Sequence, residues 1–599
     1  MTILQELAAL YDRRAEEEGW ARPGFSSEKV SGVVVLREDG SVAELRSLMA
    51  PNAKGKKLEA RAMPVPRAVK RTAGVKPNTF WDKTAYVLGV TATDDGPGQG
   101  KRTVQEHAAF RDAHVDLLMD ATDPALVALR RFCESWDPAH FAAIEDAAAL
   151  VDQNLVFRLG DGPFLHDLPA AQALMAANAE GDAICLVSGA RGATARLHPT
   201  IKGVMGAQSS GASLVSFNND AETSHGKSQG DNAPVSEAAA FAYGTALNAL
   251  LARGSGSNLR MGGDTVAFWA SGAGAAEAED AFLAMFADSG DRDPRAEGEL
   301  AARLTALAGG RAREGDPLDP STRLFVLGLA PNAARLSVRY WLPGTVGDLA
   351  RAARQFWEEC AVEPSPFVKG GVLLPPKPWA LLYDLAAQRD EKNIPPKLGG
   401  ELMRAILTRG AFPATMLAAV IRRLRVEGDP DRARHGNIDG RRAALVRAVL
   451  IRNHSMEVPM ALDETASEPA YLLGRLFAAY AYAERSYQER GASLRGKYMG
   501  SASATPARVF PVLMRGYEHN LASLRKAGGQ KAGAGVKADR AVAAILDRLP
   551  GGGEMPAALP LEEQGRFFVG FYHQLSAFYT KAEDAAEALI DDEGEGEAA

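Results

Sequence analysis

VLLPPKPWALLYDLAAQR (Val372–Arg389) is where the sequence changes its texture. Pro375, Pro376 and Pro378 interrupt any regular element, because proline fixes φ, lacks a backbone donor and restricts the residue before it. Beyond them, apolar residues recur at helical spacing over 379–389, 399–427, 439–454, 469–489, 505–526, 537–548 and 561–580, with breaks rich in Gly or Pro. That pattern predicts a helical bundle of about 220 residues with no convincing strand.

Upstream the periodicity alternates between two and 3.6. Val33–Leu36 and Ser41–Leu45 flank Asp39-Gly40, a hairpin signal because the turn needs positive φ. Ala183–Ser188 and Ala193–His198 flank a second glycine-rich turn, and Asp264–Ala270, Arg323–Leu329 and Ala334–Leu342 are further strand candidates. Ser236 is placed to cap a helix running to about Arg253, with Phe241, Leu247, Leu250 and Leu251 on its apolar side. The Ala/Gly/Asp/Glu-rich stretch 271–320 reads as a surface insertion with one or two helices. The fold class is therefore α+β: a mixed region over 1–374, an all-α bundle over 375–585 and an acidic tail over 586–599.

With 599 residues, 46% hydrophobic and 24% charged, the composition is globular and large enough for several cores. The net charge of −7 hides a division: residues 401–540 carry 23 Lys+Arg against 13 Asp+Glu, and residues 541–599 carry 3 against 12. Cys133, Cys185 and Cys360 lie far apart, which excludes a disulfide framework and a thiolate zinc site. Met1–Trp20 reads as an amphipathic helix without the basic start or cleavage site of a signal peptide, and no apolar run reaches membrane length. The expected location is the cytoplasm.

Catalytic signatures fail on spacing. GPGQGKRT (Gly96–Thr103) has three residues between its glycines where a phosphate loop needs four, and Arg102 stands where the magnesium-binding hydroxyl belongs. Around Gly226-Lys227-Ser228 the leading glycine position is Ala221. His166-Asp167 lacks the further ligands of a metal-dependent phosphohydrolase, and no GxSxG elbow exists. No catalytic residue, metal or cofactor is expected.

Nucleic-acid chemistry fits better. Residues 54–83 hold nine cations (Lys54, Lys56, Lys57, Arg61, Arg67, Lys70, Arg71, Lys76, Lys83) against Glu59 and Asp82, and end in Phe80-Trp81. Cations neutralise phosphates, and aromatics stack or wedge against bases. His198–Asn232 sets Gln208, Ser209, Ser210, Ser213, Ser216, Asn218 and Asn219 among glycines, with Lys202 and Lys227 nearby and a short strand Ser213–Phe217 as support. In Ala334–Leu342, alternation puts Arg335, Ser337 and Arg339 on one face and Leu336, Val338, Tyr340 and Leu342 on the other. In the helical region Arg422, Arg423, Arg425, Arg441, Arg442, Arg447 and Arg452, then Arg495, Lys497, Arg508, Arg515, Arg525 and Lys526, suggest a basic track for a displaced single strand.

VKRTAGVKPNTFWDKTAYVLG (Val69–Gly89), ARLHPTIKGVMGAQSSGASLVSFN (Ala195–Asn218), NAPVSEAAAFAYGTALNALL (Asn232–Leu251), LGLAPNAARLSVRYW (Leu327–Trp341) and EPAYLLGRLFAAYAYAE (Glu468–Glu484) together resemble the large subunit of the type I-C CRISPR surveillance complex, Cascade. The resemblance implies a non-catalytic subunit of a crRNA-guided complex, sitting with the backbone, handle-binding and small subunits. Such a subunit recognises the protospacer-adjacent motif (PAM) in double-stranded DNA, wedges the duplex open, supports the R-loop with its displaced strand and helps recruit a helicase-nuclease. In that family an internal start can also yield the helical part as a separate small subunit; Met456, Met460 or Met499 is the candidate start here.

Within that frame, Asn78 is the expected base-edge contact, since an amide both donates and accepts in the minor groove. Gln208, Ser209 and Ser210 are candidates for the wedge or for neighbouring contacts, and Lys70, Arg71, Lys76, Lys202 and Lys227 for phosphate. Thr79, Trp81, Asn218 and Asn232 complete the DNA-side set. Arg335, Arg339, Arg441, Arg442, Arg525 and Lys526 are expected to meet nucleic-acid backbone or a partner subunit. Two rivals remain at this point: a nuclease or helicase, and a purely structural scaffold.

Overall fold

The computed structural model describes residues 2–580 except 52–57, 70, 72–73, 146, 177–182, 224, 288–292, 312–314, 365–375, 427–437, 489–492 and 551–553. Lys54, Lys56, Lys57, Lys70 and the acidic tail lie outside the described residues. The chain forms two compact units, one of residues 1–202 and 209–249, the other of 203–208 and 250–599. The texture change at Pro375 falls inside the second unit.

The first unit is organised by a four-stranded sheet in the order Val42–Ser47, Gly32–Leu36, Asn154–Leu159, Trp81–Lys83. The Asp39-Gly40 hairpin forms as expected, joining antiparallel Gly32–Leu36 and Val42–Ser47. Gly40 has φ 88°, and a Cβ there would meet the backbone of Arg131 and Phe132 within 2.8 Å, so both conformation and space demand glycine. Alternation along the central strands feeds two cores. Val34, Leu36, Leu155 and Phe157 pack with Phe110 and Phe132 of the helices Thr103–Leu117 and Pro124–Ser135. Val33, Val35, Val156 and Trp81 pack with Val30, Met63 and Val65, contributed by the two-stranded ribbon Phe25–Val30 and Arg61–Pro66.

Elsewhere in this unit the strands are shorter than the sequence suggests. In the second hairpin Ala183–Ile184 pairs with Arg191–Gly192, so the return strand lies within the expected turn and not at Ala193–His198. The expected support Ser213–Phe217 is only Ala212–Ser213, paired with Thr200–Ile201. The helix Glu237–Leu250 starts where Ser236 Oγ accepts the Ala239 N–H.

The second unit holds an antiparallel run of strands, Asn258–Met261, Asp264–Ser271, Arg323–Asn332 and Arg335–Thr345. One face (Val266, Phe268, Ala270, Leu324, Val326, Tyr340) joins the large core. The stretch 271–320 is more than a surface insertion: its helices Ala275–Phe286 and Pro294–Ala308 bury Phe282, Phe286, Leu304 and Leu307 in that core.

After residue 375 the described residues form helices without strands, as the periodicity predicts. The segment read as one helix over 399–427 is two, Leu398–Thr408 and Thr415–Val426, because Arg409 turns left-handed (φ 56°) ahead of Gly410 and Pro413. A helix at Leu494–Ala504 was not expected. The centre of the bundle is the pair Pro469–Tyr487 and Leu561–Tyr579. A Cβ on Gly474 would lie 1.9 Å from Phe567 O, and one on Gly570 2.3 Å from Tyr471 O, so the two backbones touch through glycine. Sheet side chains and bundle side chains share one continuous core, from Leu259 to Phe578.

Candidate nucleic-acid interface

The segment between Val69 and Lys83 is organised by an acid rather than by its cations. Asp82 is buried, and its Oδ2 accepts the Asn78 N–H at 2.8 Å while Oδ1 accepts the Lys83 N–H at 2.8 Å. Arg71 closes the ring: Nη2 donates to Asp82, Nε donates to Lys76 O at 2.8 Å, and the guanidinium lies 4.1 Å from the centre of the Tyr86 ring. Burial pushes the Asp82 carboxyl up, opposed by these N–H groups and the Arg71 charge. A lone carboxylate fixing three groups of one loop is a brace.

The brace redefines several expected site residues. Asn78 is only 5% exposed, and its Oδ1 accepts the Val69 N–H at 2.9 Å, so the amide chosen for base reading holds the loop together. Arg71 keeps some exposed surface, but its guanidinium is already engaged by Asp82, the Lys76 carbonyl and the Tyr86 ring. Trp81, 3% exposed, belongs to the core, with Nε1 donating to Pro66 O at 2.6 Å; it is not a stacking platform. Phe80 is wholly buried at φ 62°, a costly conformation for a non-glycine residue, held by its N–H donating to His114 Nε2 at 2.9 Å. His114 Nδ1 in turn faces Phe110 O at 2.8 Å, which sets the tautomer, and burial lowers its pKa to about 4. Among the described residues, the lysines the segment leaves outward are Lys76 and Lys83, with Arg67 exposed at its start and Thr79 half-buried.

The polar segment after His198 is less fixed. Lys202 and Lys227 are exposed, and the Lys202 N–H donates to Asn248 Oδ1 at 2.8 Å. Ser209 and Ser210 are exposed; Gln208, also exposed, belongs to the second unit. Asn218 accepts from Ser216 Oγ, and its N–H meets Glu222. Asn232 donates to Gln229 O, which makes it a turn residue.

In the second unit the arginine expectations divide. The strand Arg335–Thr345 does not alternate cleanly. Its register against Arg323–Asn332 slips after Gly328, so Val338 is 41% exposed and Arg339 falls in the bulge. Arg339 reaches the buried Asp264 at 3.6 Å, whose pKa burial raises to about 6 against the arginine's pull. Arg335 is half-buried and has a partner.

Arg441 and Arg442 are internal. Arg441 grips the Asp384 carboxylate with two nitrogens, at 2.5 and 3.0 Å. Arg442, 2% exposed, donates Nε to Asp384 O. Arg447 donates to the carbonyls of Glu358, Glu359, Val458 and Pro459. Arg452 pairs with Glu359, and Arg425 bonds Gln564. Among the described residues of this part of the bundle, Arg425, Arg441, Arg442, Arg447 and Arg452 tie helices together instead of lining a continuous basic track, while Arg422 stays exposed. Arg525, paired with Asp539 at 2.9 Å, and Lys526 do lie on the surface.

Catalytic alternatives take structural places. Gly96–Gly98 pairs with Thr91–Thr93 and leads into the helix Thr103–Leu117. His166 is wholly buried beside the rings of Phe164 and Phe25. Among the described residues no group of His, Cys, Asp and Glu side chains is arranged to hold a metal ion, and no helix is long and apolar enough to cross a membrane.

Sequence reasoning missed Asp82 as the organiser. The available signal was its isolation: with Glu59 it is one of two acids in a segment of nine cations. No curated protein matches the chain. A family model described as CRISPR-associated protein (Cas_Csd1) matches residues 7–579. That span covers both units, the braced loop and the bundle, and so the chain belongs to the Csd1 family of CRISPR-associated proteins, the type I-C large-subunit family whose sequence blocks it carries.

Proposed function

We propose that this chain is a non-catalytic large subunit of a crRNA-guided type I-C complex in the cytoplasm, whose first unit grips target duplex beside the PAM. From there it favours strand opening, supports the R-loop and offers a surface to the helicase-nuclease. The observation that carries the reading is the braced loop: a family member in which Asp82, Arg71 and Asn78 hold a cationic segment rigid while Lys76 faces outward. Strand exchange between guide and target is nearly balanced, so a few fixed protein–phosphate contacts can decide it. Lys76, Lys202 and Lys227 are the exposed cations offered to phosphate, and Ser209 and Ser210 the exposed hydroxyls offered to bases. Asn78 keeps a positioning role.

The test is Lys76→Ala in the assembled complex, titrated with PAM-bearing and PAM-free duplex. Loss of one phosphate contact weakens both by about three- to tenfold and lowers the salt slope by about one. Unchanged affinity for both would remove the loop from the interface, and metal-dependent cutting by the purified chain would overturn the non-catalytic reading.

A second reading, a scaffold, is favoured for the sheet-and-helix core of the second unit by the inward arginines Arg441, Arg442, Arg447 and Arg452.

A further inference from the structure

The helix Pro506–Ala527 buries Phe510, Leu513, Tyr517, Leu521 and Leu524 on one side. On the other, Arg508, Val512, Arg515, His519, Ala522 and Lys526 are all exposed and follow one another at steps of three and four. They form a single stripe about 27 Å long. Arg508, Arg515 and Lys526 pair with no described carboxylate. Through Gly528-Gly529, both at positive φ, the chain turns into the helix Gly529–Leu546, which packs Gly535 against Leu521 and Leu524. Residues 506–547 hold seven Lys+Arg and three Asp+Glu. Asp539 is taken by Arg525 and Tyr517.

The next charged stretch has the opposite sign and starts beside this helix pair. Lys537 donates Nζ to Phe578 O at 2.8 Å and Ala577 O at 3.3 Å, tying the end of the helix Leu561–Tyr579 to the middle of Gly529–Leu546. Residues 581–599 follow, with eight Asp+Glu and one Lys. Nineteen residues reach about 60 Å when extended, twice the length of the stripe. They also lie beyond residues 7–579, the stretch that matches the family model.

We propose that residues 581–599 dock on the Arg508–Lys526 stripe and compete there with anionic polymers. A short tether holds carboxylates near the stripe at about millimolar effective concentration, enough to displace weak non-specific binders but not a strongly held strand. The contact is between charges at the surface, so salt screens it. The inference concerns the second unit alone and holds or fails whatever the first unit contacts.

The experiment compares the full chain with one ending at Thr580, using a labelled single-stranded oligothymidylate of about 20 nucleotides as probe. Removing the segment tightens binding about three- to tenfold near 50 mM salt, and the difference disappears near 0.5 M. In the Arg508→Glu, Arg515→Glu, Lys526→Glu variant, truncation changes nothing. Zero-length carbodiimide crosslinking of the full chain without nucleic acid joins Lys526 to carboxylates of 583–597. Equal affinity of the two chains at low salt overturns the proposal, as does a crosslink map in which those carboxylates never reach Lys526. If neither chain binds the oligomer, the crosslink decides.

Discussion

The helices Ile438–His454 and Pro506–Ala527 both look basic in sequence, and the fold treats them oppositely. The first carries Arg441, Arg442, Arg447 and Arg452 around Ala443, Ala444, Leu445, Val446, Ala448, Val449 and Leu450, all buried. An apolar girdle that wraps most of a helix leaves no solvent face, so its arginines must find carbonyls and carboxylates inside. The second buries its large apolar residues along one stripe, leaving Val512 outside it, and its cations stand in water. The lesson is that the spacing of neighbouring apolar residues, more than the count of cations, decides whether an arginine braces or binds.

The sharpest way to break this contrast is Arg452→Ala. Arg452 is 5% exposed at its side chain, donates Nε to Glu359 Oε2 at 2.8 Å with Nη2 in ion-pair contact at 2.6 Å, donates to Ala405 O and Gly410 O, and lies 4.1 Å over the Phe412 ring. Its removal strands Glu359 in the interior, with Gln355 as the remaining donor, and costs about 3–5 kcal/mol. Urea unfolding of the second unit reads the loss. Replacing Glu359 by Met in the same chain recovers part of it, because the uncompensated charge goes too. A loss under about 1 kcal/mol would mean that this arginine is not a brace.

The two units differ in their buried titratable groups as well. In the first, burial lowers His107, His114, His166 and His198, His114 to about 4 from an ordinary 6.5. Between those values the unfolded chain takes up protons that the folded imidazole refuses, so stability falls as pH drops through the window. For His114 alone the shift corresponds to about 3 kcal/mol. The raised Asp82 opposes this in part. Among the described residues of the second unit, His573 is the one histidine lowered, to about 4, and Asp264, raised to about 6, adds stability over the same descent. The first unit therefore loses amide protection before the second on acidification from pH 7 to about 4.5, read by peptide-level hydrogen exchange corrected for intrinsic rates. Simultaneous opening would mean that the histidines of the first unit relax into water.

Much of the fold was legible because local signals and tertiary structure agree. Asp39-Gly40 between alternating valines forms its hairpin, and the apolar period of 561–580 becomes Leu561–Tyr579. Leu494–Ala504 was not legible: RGKYMGSASA has little apolar period, and packing rather than amphipathicity makes it a helix. The split at Arg409 depends on a left-handed residue that no propensity marks. At the site, the basic character of 54–83 was readable, but the ring joining Arg71 to Asp82 spans eleven residues of irregular loop and follows no period. Asn78 looked like a reader because its side-chain amide can donate and accept, but in the brace the amide oxygen accepts from Val69 while the donor to Asp82 is the backbone N–H.

The smallest effect tests the other helix of the pair. In Arg508→Ala with Arg515→Ala, the one side-chain hydrogen bond lost among the described residues is Arg515 Nε–H to Pro511 O at 3.4 Å, a weak contact within its own helix. Alanine is the strongest helix former, and removing two like charges from one stripe relieves repulsion. The stability change stays within about 0.5 kcal/mol, measured as the unfolding midpoint of the full chain. A loss above about 1 kcal/mol would show that these guanidiniums hold something inside, as Arg452 does, and the division between bracing and surface arginines would fall with it.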